Sequence, residues 1–325
     1  MQRRDFIRLM GGAAFVWPFT ARGQTAMRVI GFLSTRAANQ DNYTVDAFRD
    51  GLAAGGFGEG KNVAIEYGWA GGQYEKLSGR AANMIGKGCA LIACAGTAAG
   101  SVAKAATSTI PVIFVTADDP IDNGLVKSLN RPGGSVTGIS MVSAELRPKM
   151  LQLLHELAPH AKLIHMLANP TSAGIDIQKR ETQAAANANG LQFQLRPAST
   201  PAAIDAAFVK IAEQPASALL VASDPFLTSR RNQITALAAK HAVPAIYAWR
   251  EFAQAGGLMS YGSSNSDGYR QAGLYAARLL KGEKPGDLPV QQPTKYELVI
   301  NLKAAKALGI NVPPAMQTRA DELIE

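Results

Sequence analysis

The chain has 325 residues, of which 47% are hydrophobic, 18% charged and 7% aromatic, with 31 glycines and two cysteines. This composition is typical of a folded α/β protein and excludes a disordered chain or a disulfide-stapled scaffold, and the length fits two lobes of ordinary domain size. The formal net charge is +8, but no run of Lys and Arg interleaved with aromatic residues supports a nucleic-acid partner, so the charge predicts only a solvated, mildly basic surface.

The first 26 residues are predicted to be an export signal, because a basic head precedes an apolar stretch from Leu9 to Phe19. This stretch has about half of the roughly 20 residues that a membrane-spanning helix needs. The Arg3-Arg4 pair fits twin-arginine export, and ordinary Sec export is the alternative. Cleavage near Gly23 or Ala26 is expected, and removal of residues 1–23 lowers the net charge to +5. No cysteine precedes position 89, so we expect a periplasmic protein without a lipid anchor.

From Met27 onward, short β-rich runs alternate with helical stretches. The first predicted strands have the sequences MRVIGFLS, NVAIEYGW, ALIACAG and PVIFVT, and helices are predicted at 42–56, 74–87 and 98–107. Strands that alternate with helices predict βαβ units and a parallel sheet with helices on both faces. Cys89 and Cys94 flank ALIA in the third strand, about 16 Å apart along an extended chain, and are therefore predicted to be packed free thiols.

A second run of strands predicts a second lobe. After the turn-rich passage RPGGSVTG and a helix at 145–157, the predicted strands are AKLIHMLAN, LQFQLRP, SALLVAS, VPAIYAW and GGLMSYG. The predicted fold class is therefore α/β, with two doubly wound parallel-sheet lobes. Because ligands bind beyond the carboxyl ends of the strands in such sheets, the two lobes are expected to share a cleft there.

An Asp or Asn precedes a proline where three of these strands end, at Asp119-Pro120, Asn169-Pro170 and Asp224-Pro225. Asp and Asn are preferred N-caps and proline suits the first helical position, so each pair predicts the start of a helix. The N–H groups of such helix ends are a ready seat for a carboxylate. Asp118, next to the first cap, is open to two interpretations: a carboxylate that holds an ammonium or hydroxyl of the ligand, or a solvated loop residue.

The predicted ligand-binding residues lie at or near strand ends and supply hydroxyl groups, polar oxygens, one glycine and three aromatic rings. They are Ser34, Thr35, Gly96, Thr97, Thr116, Asp118, Asn169, Thr171, Ser172, Asp224, Tyr247, Trp249 and Tyr261. The rings of the last three are able to stack on a planar ligand, and packing between lobe and loop is the alternative for each of them.

The catalytic motifs that the chain approaches are incomplete. GGFGEGKN ends in Asn62 where a P-loop needs Ser or Thr, and it lies between a helix and a strand instead of opening a helix. HELAPH has Pro159 where the zinc-binding H-E-x-x-H motif needs its second histidine. No G-x-S-x-G elbow occurs, and no G-x-G-x-x-G follows the first strand. The sequence therefore predicts a binding protein without catalytic residues, metal or cofactor.

Four segments resemble the ABC-transporter substrate-binding proteins related to the tryptophan- and tyrosine-binding component, which have the type I periplasmic-binding fold. They are GLAAGGFGEGKNVAIEYGWAGGQYEKL, DDPIDNGLVKSLNRPGGSVTGIS, HAVPAIYAWREFAQAGGLMSYG, and LPVQQPTKYELVINLKAAKALGINVPP with RADELIE. Together they extend over essentially the whole chain from Met27. The resemblance implies a monomer that delivers a small molecule to an inner-membrane permease with its ATPase, and that meets the membrane only through the permease.

The same resemblance implies a three-stranded hinge and a specific division into lobes. Crossings are expected near Thr137–Ser140, Gly262–Ser264 and Pro289–Pro293, with lobe 1 at 27–138 plus 263–290 and lobe 2 at 139–262 plus 291–325. A helix at 267–281 follows the second crossing, and a strand at 296–300 and a helix at 302–308 complete lobe 2. Asp224 falls where similar proteins place an acid near the ligand's ammonium, and the turn from Asn169 to Ser172 falls where they seat its carboxylate.

These expectations combine into a periplasmic receptor that binds a small carboxylate-bearing molecule, an amino acid or an aromatic acid, in the interlobe cleft without changing it chemically. The first alternative is an exported α/β enzyme that uses Asp118 and Asp224. The second is a ligand-sensing module that reports to a membrane receptor.

Overall fold

The computed structural model describes residues 27–38, 42–141 and 146–325, and the predicted export signal at 1–26 lies outside them. In chain order, lobe 1 begins with β1 (Arg28–Ser34), α1 (Asn42–Ala54), β2 (Val63–Trp69), α2 (Leu77–Gly86), β3 (Leu91–Ala95), α3 (Thr97–Ala106), β4 (Val112–Thr116) and β5 (Val136–Ser140). The five strands form one parallel sheet in the order β2-β1-β3-β4-β5. Every residue of β3, β4 and β5 is buried, as expected for strands covered on both faces.

Lobe 2 repeats this arrangement and extends it. Its elements up to residue 262 are α4 (Leu146–Leu157), β6 (Leu163–Ala168), α5 (Ile175–Ala188), β7 (Gln192–Pro197), α6 (Pro201–Ala212), β8 (Ser217–Val221), α7 (Pro225–Ser229), α8 (Arg231–Lys240), β9 (Ala245–Tyr247), α9 (Arg250–Gln254) and β10 (Met259–Gly262). The chain then forms α10 (Asn265–Leu280), β11 (Glu297–Asn301), α11 (Leu302–Ala307), α12 (Pro314–Arg319) and β12 (Glu322–Ile324). The sheet order is β12-β11-β10-β9-β8-β6-β7.

The prediction of two doubly wound α/β lobes is confirmed, with one difference in the second sheet. The pair β10–β11 is antiparallel, whereas the other pairs in this sheet are parallel. The predicted strand at 296–300 corresponds to β11, but the sequence did not reveal α12 or β12. Both cysteines are free and buried, as predicted.

The predicted helix start at Pro120 is wrong, whereas the passage RPGGSVTG contains the predicted turn and also the start of a strand. No helix starts at Pro120: the segment forms turns, in which the Asp119 carboxylate accepts hydrogen bonds from the N–H groups of Ile121 and Asp122. Gly124 then takes a positive φ of 65°, a conformation that ends a turn and does not continue a helix. The passage RPGGSVTG is not only a turn, because β5 begins at Val136 and pairs along its whole length with β4.

Three stretches of chain connect the two sheets. The first follows β5, the second joins β10 to α10, and the third leads to β11. They are hydrogen-bonded to one another: the Ser140 N–H donates to the Gln291 carbonyl at 2.8 Å, the Gln291 N–H donates to the Gly138 carbonyl at 3.1 Å, and the Ser263 hydroxyl donates to the Met141 carbonyl at 2.8 Å. The second stretch returns the chain to lobe 1, where α10 packs lengthwise on α1 and also contacts β3, β4 and β5.

Helix α10 approaches α1 so closely that glycines are required at the contact. A Cβ atom on Gly273 would lie 2.1 Å from the Phe48 carbonyl oxygen, and one on Gly51 would lie 1.9 Å from the Arg270 carbonyl oxygen. Both distances are far below van der Waals contact, so the two backbones touch directly. None of the helices in the described ranges is long and apolar enough to cross a membrane.

A buried histidine gives lobe 2 an expected pH dependence. His165 in β6 is fully buried, and its Nδ1 accepts a hydrogen bond from Arg196 Nε at 3.2 Å, which requires the neutral ring. Burial and the Arg196 charge lower the pKa of His165 from 6.5 to about 4. Because the unfolded chain takes up this proton first, we expect the free energy of unfolding to fall by about 2.5 kcal/mol as the pH decreases from 6.5 to 4.

Denaturant unfolding at several pH values measures this effect. His165→Gln, which keeps a hydrogen-bond acceptor without titrating, is expected to remove that part of the pH dependence, whereas His160→Gln, at an exposed histidine, is expected to leave it. Equal slopes for the wild type and His165→Gln would contradict the assignment.

Candidate functional site

A cavity lies between the two lobes at the carboxyl ends of their strands. In each sheet the strand order reverses once, between β1 and β3 in lobe 1 and between β6 and β8 in lobe 2. Thr35 follows β1, Gly96 follows β3 and Ser223 follows β8, and all three line the cavity. Such points of reversal are where open α/β sheets bind ligands.

The cavity is small. About 540 Å³ between its atoms is empty, but the centre of a water molecule can reach only about 40 Å³ of it. Since a single water needs about 10–15 Å³ on this measure, the space matches a few waters or one small molecule.

Eight of the predicted residues line this cavity. They are Thr35, Gly96, Thr97, Thr116, Asp118, Ser172, Asp224 and Trp249. The first five come from lobe 1 and the last three from lobe 2, so the structure brings together side chains that are up to about 200 positions apart in the sequence.

Two predicted aromatic residues, the buried Tyr247 and the half-buried Tyr261, pack against other rings and lie outside the cavity wall. Tyr247 is fully buried and its ring is stacked on Phe252 with the ring centres 4.5 Å apart. Tyr261 is stacked on Tyr296 at 5.8 Å. Both residues lie near strand ends, as the sequence predicted. Their rings pack on other rings of lobe 2, however, which is the alternative interpretation given for them above.

The remaining predicted residues, Ser34, Asn169 and Thr171, lie next to the cavity but do not line it. Ser34 Oγ accepts a hydrogen bond from the Arg36 N–H at 3.1 Å. Asn169 does not cap a helix, because α5 begins only at Ile175; its side-chain oxygen instead accepts hydrogen bonds from the Thr171 N–H at 3.1 Å and hydroxyl at 2.9 Å. Asn169 and Thr171 thus stabilise a polar turn next to the cavity.

Asp224 is the N-cap of α7, as predicted, and also contacts lobe 1. Its Oδ1 accepts a hydrogen bond from the Leu227 N–H at 3.0 Å, and its Oδ2 accepts one from the Tyr74 hydroxyl of lobe 1 at 2.7 Å. The carboxylate is only 2% exposed, and burial raises its pKa despite these hydrogen bonds. One side chain therefore caps a helix, bridges the lobes and faces the cavity.

Asp118 is buried and both of its carboxylate oxygens accept hydrogen bonds, which excludes the solvated loop. Its Oδ2 accepts a hydrogen bond from the Thr97 hydroxyl at 2.5 Å, and its Oδ1 accepts one from Gln178 Nε2 of lobe 2 at 2.7 Å. Burial raises the pKa of Asp118, whereas the Thr97 hydroxyl, the charge of Arg147 and the Gln178 amide act in the opposite direction. Asp118 therefore also bridges the lobes.

Arg36 and the first turn of α3 give one wall of the cavity a positive potential. Arg36 follows β1, and α3 follows β3, the neighbouring strand in the sheet. Gly96, the N-cap of α3, has no side chain to satisfy the first N–H groups of the helix, and Thr97 and Ala98 of its first turn line the cavity. The guanidinium of Arg36 is buried in the same wall.

Sequence reasoning missed several polar or aromatic residues of the wall, among them Arg36, Tyr74, Asn265 and Tyr269. Arg36 had a signal, because it lies two residues after the end of the buried strand β1, on the side of the sheet where the cleft was expected. The others had none: Tyr74 lies in a short 3-10 turn, and Asn265 and Tyr269 belong to α10, which returns to lobe 1 from more than 100 residues away.

Several polar groups of the cavity are hydrogen-bonded to each other. The hydroxyls nearest the two carboxylates are those of Thr97 and Tyr74, and each donates to one of them. No histidine lines the cavity. Among the described residues, no three His, Cys, Asp or Glu side chains are grouped to hold a metal ion. The arrangement is suited to holding a charged, polar molecule.

A family of substrate-binding proteins matches the sequence of this chain. A family model described as "ABC transporter substrate binding protein" matches residues 28–324. A curated tyrosine-binding protein of Clostridioides difficile (strain R20291) is 28% identical over 256 residues, which are 78% of this chain and 73% of that protein. The family and the fold are thus those of binding proteins.

Two solved structures resemble the chain along nearly its whole length. An ABC domain from Streptococcus pneumonia in complex with L-Trp is 26% identical, with a TM-score of 0.84 over 91% of this chain and 99% of that one. The ligand-free, open structure of a substrate-binding protein with adhesive properties from Clostridium difficile is 25% identical, with a TM-score of 0.65 over the same shares. By the extent of the family match, this chain belongs to the ABC transporter substrate-binding protein family.

Proposed function

We propose that this protein is the periplasmic solute receptor of an ABC importer, and that it binds a small carboxylate-bearing ligand, most specifically an aromatic α-amino acid, in the interlobe cavity. The observation that carries the proposal is the composition of the cavity wall, to which lobe 1 contributes Arg36 and the first turn of α3 and lobe 2 contributes the buried acid Asp224 and the aromatic ring of Trp249.

The ligand carboxylate is placed at Arg36 and the N-terminus of α3. A guanidinium offers two parallel N–H donors that match a carboxylate, and a helix N-terminus adds backbone N–H groups and a partial positive charge. Both lie at the same point of sheet reversal in lobe 1, so one carboxylate is able to contact both. This seat differs from the turn at Asn169 that the sequence suggested.

The ammonium of the ligand is placed near Asp224. An ionised carboxylate has about four acceptor positions; Leu227 and Tyr74 donate short hydrogen bonds to Asp224, and the Asn169 amide donates longer ones at 3.5 Å. An ammonium group would also lower the energy of keeping this buried acid ionised. The ring of Trp249, with Tyr74 and Tyr269, supplies planar surfaces for the side chain of the ligand.

The arrangement of the lobes supports a ligand-binding role. At nearly equal identity, this chain superposes much better on the L-Trp complex than on the ligand-free, open structure. The proposed cycle is that the ligand enters an open cleft, the lobes close on it, and the permease recognises the closed form. The proposed partners are therefore the permease and its ATPase, and the protein reaches them as an exported monomer without a lipid anchor.

Calorimetry and thermal unfolding with matched ligands test this proposal. L-Trp, L-Tyr and L-Phe are compared with tryptamine, which lacks the carboxylate, and with indole-3-propionate, which lacks the ammonium. An amino acid present at about 100 times its Kd is expected to raise the Tm by about 5 °C, and each truncated analogue is expected to bind at least tenfold more weakly. No stabilisation by any of these compounds, or chemical conversion of one of them, would contradict the proposal.

A further inference from the structure

Asp118 leaves lobe 1 and inserts into lobe 2. It follows β4, a strand of lobe 1, yet its Oδ1 accepts a hydrogen bond from Gln178 Nε2 in α5. The Asp118 side chain is only 4% exposed, because lobe 2 covers the part of it that lobe 1 does not bury. An acid that would be solvated if the lobes separated is thereby buried by their contact.

Lobe 2 has a seat of the right shape for this carboxylate. Gly174 is the N-cap of α5, and a Cβ atom at this position would lie 2.2 to 2.3 Å from Cγ, Oδ1 and Oδ2 of Asp118. The Asp118 carboxylate therefore occupies the space that any other residue at 174 would need. A negative charge in this place is also favoured by the N-terminus of a 14-residue helix.

Gln178 connects this contact to the cavity wall. Its Nε2 also donates to the Ser223 carbonyl at 3.0 Å, and its Oε1 accepts a hydrogen bond from the Ser223 N–H at 3.0 Å. Ser223 precedes Asp224, which receives the second hydrogen bond between the lobes, from Tyr74. The orientation of the Gln178 amide is thus fixed by the backbone of lobe 2, and the amide presents its N–H to lobe 1.

On the side of lobe 1, the Thr97 hydroxyl donates to the other oxygen of Asp118 and is also hydrogen-bonded to Thr116 at 2.5 Å. Thr97 begins α3, where the proposed function places the ligand carboxylate. The contact between the lobes and the ligand seat therefore share one residue.

We propose that Asp118, Gly174 and Gln178 form an interlobe latch, in which Asp118 is a positioning residue that holds the closed conformation and does not itself bind the ligand. The latch rests on the proposed function only in that closure serves ligand binding. The latch predicts that part of the ligand-free protein adopts the closed conformation.

Gly174→Ala is a variant that acts on the closed form alone. The φ of −93° and ψ of 5° at Gly174 are allowed for alanine, so the open protein and the fold of lobe 2 tolerate the methyl group. In the closed form the methyl group would collide with the Asp118 carboxyl, whose atoms are the three nearest to it. Asp118→Ala removes those three atoms, so the double variant closes without the collision.

The closed fraction is measured by the distance between two spin labels, at Ser78→Cys on α2 and Lys179→Cys on α5, both exposed positions. The native thiols Cys89 and Cys94 are buried and are not expected to react. In the ligand-free wild type we expect a minor population at the short distance, and in Gly174→Ala we expect it to disappear. Absence of this population in the wild type, or no change in the variant, would overturn the latch whether or not an amino acid binds.

Affinity for L-Trp or L-Tyr gives a second readout. We expect Gly174→Ala to weaken binding at least tenfold in the wild-type background and less than twofold in the Asp118→Ala background, because the collision needs both side chains. Gly86→Ala, at a position where a methyl group meets nothing within 4 Å, is the matched control and is expected to change neither readout. Equal effects of Gly174→Ala in the two backgrounds would overturn the latch and leave the proposed function standing.

Discussion

Arg36→Met should weaken the binding of L-Trp by about 100-fold or more. The guanidinium is buried in the cavity wall beside the first turn of α3, and its removal leaves the ligand carboxylate with the helix N-terminus alone. Loss of one partner of a buried, hydrogen-bonded charge pair costs about 2–5 kcal/mol, which corresponds to this loss of affinity. Methionine keeps most of the side-chain volume, so the change removes the charge without opening a large void.

The specificity of this effect is measured by pairing the variant with a ligand that lacks the carboxylate. Tryptamine should bind to the wild type and to Arg36→Met with affinities that differ by less than about threefold. Arg36→Lys keeps the charge but not the two parallel donors, so an intermediate loss is expected for L-Trp. An equal loss for both ligands would place the carboxylate elsewhere in the cavity, and thermal unfolding of each variant checks that the fold is intact.

Gly273→Ala should destabilise the protein by about 3 kcal/mol or more. A methyl group at this position of α10 would lie 2.1 Å from the Phe48 carbonyl oxygen and 2.7 Å from the Leu52 nitrogen, both backbone atoms of α1. Overpacking typically costs 1–3 kcal/mol when side chains are able to shift, and here the neighbours are backbone atoms that a rotamer change does not move. To make room for the methyl group, α1 (42–54) and α10 (265–280) would have to move apart.

Gly79→Ala is the matched control for this prediction. Gly79 lies in α2, where a methyl group meets nothing within 4 Å, and alanine has the higher helix propensity. This control makes the same substitution in another helix of lobe 1. It should stabilise the protein by about 0.5–1 kcal/mol. Denaturant unfolding measures both changes. A loss below 1 kcal/mol in Gly273→Ala would mean that α10 is not held against α1 as described.

The fold could be predicted from the sequence because its signals are local. Alternation of buried strands with helical stretches identified both lobes, and Asp224 with Pro225 identified the start of α7. The same dipeptide pattern failed at Asp119, because a cap starts a helix only if the following residues continue it, and the turn closes at Gly124. The strand order, including the antiparallel pair of β10 and β11, depends on contacts between distant residues and has no local signal.

The candidate site was predicted in part for the same reason. Residues that directly follow a strand, such as Thr35, Thr97 and Asp118, are placed at the cleft by the topology of a doubly wound sheet. Tyr74 reaches Asp224 across 150 positions, which no pattern in the sequence encodes. Gln178 did leave a trace, since it occupies the buried face of α5 together with Thr182, Ala185 and Ala186, where an amide requires a specific partner.

The hydrogen bonds among the three crossing strands determine how the lobes are able to move. Gly138 and Ser140 are bonded to Gln291, Ser263 is bonded to Met141, and Gly262 pairs with Glu297, so the crossings form one small ribbon. A ribbon of this kind bends easily across its width, but resists shear and twist because these would break its bonds. We therefore expect opening to follow mainly one bending angle about these crossings.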